Sequence, residues 1–141
     1  MPYNTLVVFA AYDPLPAADL NANFANLDFL LTRVSPRVLP IASDGTPTVN
    51  TDNYDTVNIT ALAVAITSMT TNLSGTPVNG QKLIYRIKDN GVARAITWGA
   101  SFEAVGAALP TTTVASKRLM VGFIYDSTSS KWGCVAVNQE A

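Results

Sequence analysis

Hydrophobic and polar positions divide the chain into an apolar opening, one helical stretch and a long β-patterned remainder. Thr5-Leu6-Val7-Val8-Phe9-Ala10 is apolar and β-branched. Asp13-Pro14-Leu15-Pro16 interrupts it, because proline fixes its own φ and pushes the residue before it toward extended conformations. Residues 1–15 therefore read as an arm. Pro16 suits the first turn of a helix, and Asp19 is well placed near its positive end. From there Ala17, Leu20, Phe24, Leu27, Leu31 and Val34 follow at spacings of 3, 4, 3, 4 and 3, the seam pattern of a coiled coil. Ser35-Pro36 ends the stretch. A helix over 16–35 is marginal alone and has to bury this seam, on its own domain or on copies of itself. Burying such side chains contributes about 1.5–3 kcal/mol each, against roughly 4–15 kcal/mol for association. Self-association is thus within reach.

Beyond Pro36 the pattern changes to strands and turns. Arg37-Val38-Leu39-Pro40-Ile41 is a short apolar stretch, and Ser43 to Pro47 carries turn residues. Thr56 to Ala61 alternates, which places Val57, Ile59 and Ala61 on one face of a half-buried strand. A further short strand is expected over Ala65 to Met69, and a loop over Ser74 to Gly80. Asn90-Gly91 favours a two-residue hairpin that would oppose Leu83 to Trp98, Tyr85 to Ile96 and Ile87 to Arg94. A second hairpin is expected between Leu119–Tyr125 and Trp132–Val137 across Asp126 to Ser130. The fold class read from this pattern is mainly β: an arm (1–15), a single helix (16–35), then an antiparallel, jelly-roll-like β-sandwich (36–141).

Composition narrows the function. Only 13% of the residues are charged, about half the roughly 25% of soluble domains; Thr, Ser and Asn fill the surface instead. The net charge of −1 supplies no long-range attraction for nucleic acid or an anionic membrane. Histidine is absent, which removes the commonest acid–base group and metal ligand, and Cys134 is alone. Met1 to Thr5 does not read as a secretory signal, and no run approaches the roughly 18 apolar residues of a membrane span. No cofactor is implied.

Candidate chemistry is sparse. Gly75 to Lys82 approaches a phosphate-binding loop, yet Gln81 holds the lysine position, Lys82 the hydroxyl position, and a strand pattern follows. Asp52, Asp55, Asp89, Glu103 and Asp126 are the carboxylates from which a hydrolytic pair would have to be drawn, but Asp89 and Asp126 sit where turns favour Asp. A serine nucleophile lacks a base at any recognisable spacing. Among the aromatics, Trp98 and Trp132 alternate into the core, whereas Tyr54 and Tyr125 lie near loop ends and are the candidate glycan contacts. The sequons at Asn58 and Asn72 read as chance without a secretory signal.

Two segments carry a resemblance. PAADLNANF at 16–24 resembles the helix near the start of many tailed-bacteriophage fibre and virion proteins. NGQKLIYRIKDNGVARAITWG at 79–99, followed by Val121 to Asp126 and Lys131-Trp132, resembles a β-module that recurs in them. The resemblance covers most of the chain from Pro16 onward. It implies a non-enzymatic structural protein, usually trimeric, made in the bacterial cytoplasm and carried on the virion. With no long shaft, it implies a short head fibre or capsid-decorating (cement) protein, with a short tail fibre or adhesin as the alternative. Leu20, Phe24, Leu27, Leu31 and Val34 would then form the trimer seam, and Leu6, Val7, Val8 and Phe9 would anchor to a capsid or tail protein. A host-surface glycan is a further possible partner.

Overall fold

The computed structural model describes residues 18, 21–25, 27 and 37–141. The chain divides into two compact units, Met1–Pro36 and Arg37–Ala141. In the first, Ala18, residues 21–25 and Leu27 are helical. Leu6, Val7, Val8, Phe9, Leu20, Leu31 and Val34 lie outside the described residues.

The second unit is built from strands: β1 (Val38–Ile41), β2 (Val49–Asn50), β3 (Thr56–Leu62), β4 (Leu73–Ser74), β5 (Lys82–Asp89), β6 (Phe102–Ala104), β7 (Arg118–Asp126) and β8 (Lys131–Gln139). The larger sheet runs β1-β3-β5-β7-β8-β6, and β2 and β4 form a second, two-stranded sheet. From β1 to β5 the chain alternates between the two sheets, and β1, β3 and β5 are parallel, as are β2 and β4. This is the connectivity of a short solenoid, not of the antiparallel jelly-roll-like sandwich that the pattern suggested. Among the described strands β5–β7 and β7–β8 pair antiparallel, Ala95 bridges Thr112 antiparallel, and β6 returns parallel to β8. The physical reason is that alternation of side chains reports which face is buried, and that signal is identical for parallel and antiparallel neighbours.

Strand β5 illustrates the point. Leu83, Tyr85 and Ile87 are buried as the alternation requires. Their partners are different: Leu83 opposes Phe123, Tyr85 opposes Val121 and Ile87 opposes Leu119, while β3 runs parallel on the other side. Asn90-Gly91 does not make the expected hairpin. A type I′ turn needs positive φ at both residues, and only Gly91 has it, at 100°. The chain instead leaves the sheet, and Ile96 bridges Ile66 in parallel. Over Ala65 to Met69 that bridge is the sheet contact, with Ile66 and Met69 both buried. In β3 the register shifts between Ile59 and Leu62, which turns Leu62 into the core and leaves Ala61 outside. The hairpin of β7 and β8 forms as expected, closing between Asp126 and Lys131. Asp126 Oδ1 accepts the Thr128 N–H at 2.8 Å, and Ser130 takes a left-handed φ of 56°.

The core lies between the larger sheet and the segments that cross it. Tyr85 and Phe123 from β5 and β7 meet Trp98 and Phe102 at centroid separations of 4.9–6.1 Å, mostly edge to face. Such pairs contribute about 0.5–1.5 kcal/mol each beyond the area they bury. The Trp98 indole N–H donates to Pro110 O at 2.8 Å. The Tyr85 hydroxyl is buried with no hydrogen-bond partner among the described residues, and burial pushes its phenol well above the ordinary value.

Asp89, at the end of β5, is 3% exposed. Its carboxylate accepts from the Thr113 hydroxyl at 2.6 Å, the Ser116 N–H at 2.7 Å and the Gly91 N–H at 3.0 Å. Burial opposes its charge, but these donors, with Arg94 nearby, outweigh burial and hold the carboxyl below its ordinary value. A depressed folded value means that the stabilisation is complete above the unfolded value, near pH 4, and is lost as pH falls through the folded one. Asp89→Asn is expected to cost about 1–3 kcal/mol at pH 7, with the gap to wild type closing below about pH 4; urea titrations at pH 7 and pH 3 check this. Tyr85→Phe removes the buried hydroxyl that lacks a partner and is expected to raise the unfolding free energy by about 1 kcal/mol, read by the same titration.

Candidate functional site

A cleft of about 180 Å³ opens where the end of β2, the end of β4 and the β7–β8 hairpin converge. Thr51 follows β2 and is bound to β4: its N–H donates to Ser74 O at 2.9 Å and its hydroxyl to the same oxygen at 3.1 Å. Gly75, with φ of 113°, lets the chain turn away; a Cβ here would stand 2.3 Å from Thr51 Oγ1. On the opposite wall Tyr125 packs on Trp132 with centroids 5.2 Å apart. Gln81 ties the two walls together: its side chain donates to Thr51 O at 2.7 Å, and its carbonyl accepts the Tyr125 N–H at 2.9 Å. Trp132 is held in turn by its N–H to Ser101 O at 2.9 Å.

The lining residues Thr51, Ser74, Ser101, Ser130 and Tyr125 carry hydroxyls, of which Thr51's donates to Ser74 O and Ser74's to Val49 O, beside an aromatic wall and no carboxylate. Hydroxyls that donate and accept beside a ring face suit a polyol such as a sugar. They offer no acid–base pair for hydrolysis. The volume is below the roughly 300–1,000 Å³ of sites for drug-sized ligands, so the cleft accepts one small ring at most.

Of the two tyrosines singled out in the sequence, Tyr125 lines this cleft and Tyr54 does not. Tyr54 is half-buried in the turn after β2, its N–H donating to Asn50 O at 3.1 Å. Trp132, 2% exposed, is core as expected and also walls the cleft. Thr51, Ser101 and Ser130 carried no signal of their own, because only strand pairing brings these separate segments together.

The carboxylates considered for hydrolysis are occupied structurally. Asp55 receives the Arg37 guanidinium at 2.8 and 2.5 Å, while Arg37 Nη1 also donates to Asp52 O. Asp52 Oδ1 accepts the Thr76 N–H at 2.9 Å. Glu103 faces Lys131 at 3.8 Å and accepts from the Ser129 hydroxyl at 3.0 Å. Among the described residues no group of His, Cys, Asp or Glu is arranged to hold a metal ion, and no helix is long and apolar enough to cross a membrane. Burial raises the Cys134 thiol above its ordinary value, which keeps it protonated.

Compared with protein-family models, with curated proteins and with solved structures, the chain matches none of them. Its class therefore rests on the geometry described above: a mainly β unit with solenoid-like winding, preceded by a separate unit that contains helix.

Gly75→Ala combines a left-handed φ with a clash against Thr51, so it is expected to lower the unfolding free energy by about 1–3 kcal/mol. Denaturant unfolding checks this, and Gly80→Ala, with a similar φ but nothing within 4 Å of its Cβ, isolates the backbone part.

Proposed function

We propose that the chain is a structural virion protein of a tailed phage that decorates or stabilises the capsid as a homotrimer, in the manner of a cement or head-fibre protein. It acts without catalysis and without a cofactor. The observation that carries this reading is the exposure of the seam: Phe24 is 60% and Leu27 53% exposed in the single chain. Large apolar side chains left at this exposure on one helix stripe call for a partner, and the seam spacing of Leu20, Phe24, Leu27, Leu31 and Val34 is suited to copies of itself. Leu6, Val7, Val8 and Phe9 then serve as the anchoring arm on a capsid or tail protein. The β-unit supplies a rigid body whose acidic groups are tied up in turns and strand ends.

A second reading has its own support. The cleft walled by Tyr125 and Trp132 and rimmed with hydroxyls favours a short tail-fibre or adhesin module that contacts host-surface carbohydrate.

Light scattering of the purified chain at two concentrations is expected to give a trimer mass at both. Phe24→Asp with Leu27→Asp removes two seam side chains per protomer, about 3–6 kcal/mol of burial, and is expected to give a folded monomer by circular dichroism. Deleting residues 1–15 is expected to keep the trimer and abolish binding to particles. A wild-type monomer at both concentrations overturns the trimer, and particle binding retained after the deletion overturns the arm.

A further inference from the structure

The outer face of the larger sheet carries a cluster of positive charge that no fold requirement explains. In β5, Arg86 and Lys88 are two positions apart and so share a face, both exposed. Lys88 lies directly opposite Arg118 of β7, and Arg86 directly opposite Asn58 of β3. Like charges placed opposite each other across strands destabilise a sheet. Here the Lys88–Arg118 pair is extended by Arg86 on the same face, at spacings of only about 5–7 Å.

Compensation within the chain is slight. Among the described residues the ion pairs are Arg37–Asp55 and Lys131–Glu103, and neither involves this cluster. Among the described residues, the side chains of Arg86, Lys88, Arg118 and Asn58 make no hydrogen bond. Lys117, nearby, donates to Ala141 O. Glu140 feels these charges and accepts the Arg118 N–H at 2.8 Å. That hydrogen bond first, then the charges of Arg118, Lys117 and Lys88, hold it below the ordinary carboxylate value.

The cluster also has a shape. Asn58, Thr60, Arg86, Lys88 and Arg118, with Ile59, line a cleft of about 140 Å³. Two arginines, one lysine and one asparagine border a single small volume, with no carboxylate among its lining residues. Planar guanidinium forks match the paired oxygens of a tetrahedral oxyanion, and an ammonium adds charge without demanding direction.

We propose that this cleft is an oxyanion site for a phosphate-class group, free or esterified to a larger solute. Arg86 and Arg118 supply the forks, Lys88 the added charge and Asn58 Nδ2 a neutral donor. Glu140 is the competing anion at its edge. The site is separate from the Tyr125–Trp132 cleft and does not depend on the virion reading.

The test is an amide NMR titration of the full chain in low salt. The probes are inorganic phosphate, glucose 6-phosphate, glucose and, at matched ionic strength, potassium chloride. Saturable shifts at Asn58, Arg86, Lys88 and Arg118 are expected with both phosphates and not with glucose or chloride. Tighter binding of glucose 6-phosphate identifies an esterified group as the ligand and tighter binding of inorganic phosphate the free ion; either supports the site. Arg86→Gln and Arg118→Gln, exposed positions whose folding the same spectra verify, are each expected to weaken binding about tenfold. Glu140→Gln is expected to tighten it. Shifts no different from those in chloride, or an unchanged affinity in both arginine variants, overturn the proposal. So does an oligothymidylate that binds more than tenfold tighter per phosphate than glucose 6-phosphate, which would mark an extended nucleic-acid surface.

Discussion

The aromatic contact of Tyr85 and Phe123 with Trp98 and Phe102 is the interaction on which the β-unit depends. It joins the inner faces of β5 and β7 to a stretch of chain, 96–102, that contributes little regular strand of its own. Strands as short as β2 and β4 cannot hold a layer by backbone pairing alone. The second layer therefore stays in place because Val49, Ile66, Met69 and Ile96 pack into the same core. Edge-to-face rings tolerate the irregular backbone between Gly91 and Pro110 better than an aliphatic layer requiring matched strands would.

Around that core, polar side chains do the work that hairpins do elsewhere. Asp89 holds the departing end of β5 to residues 113–116, Asp52 closes on Thr76, and Gln81 ties Thr51 to the end of β7. Each replaces backbone pairing that a winding chain leaves unmade, and buried polar groups demand such partners. The low charge and the abundance of Thr, Ser and Asn follow from this role, because short hydroxyl and amide side chains satisfy neighbouring backbone where long charged ones remain in water.

The same architecture separates two surfaces. At the strand ends, hydroxyls and aromatic rings form a neutral cleft without carboxylates. On the open face of the sheet, cations gather with Glu140 as the acid among them. The net charge of −1 hides this arrangement, because the whole-chain sum averages the acidic turns against a basic sheet face. The helix adds a third surface through Phe24 and Leu27.

What the sequence determined by itself was local: the mainly β character, the buried positions Val57, Ile59, Leu83, Tyr85 and Ile87, the core placement of Trp98 and Trp132, and the β7–β8 hairpin. Period-two alternation is imposed by the strand itself, and Asp126 to Ser130 close their turn with near neighbours. Apart from that hairpin, tertiary structure alone decided which strands meet. Whether Tyr85 opposes Ile96 or Val121 changes no side chain's face, so alternation cannot choose between them, and the choice rests on how the whole core closes. For the same reason Tyr125 was visible as a candidate, whereas its companions Thr51, Ser101 and Ser130 were not. The basic cleft is the plainest case: Asn58, Arg86, Lys88 and Arg118 are scattered along the chain, and only the register of three strands makes them one site.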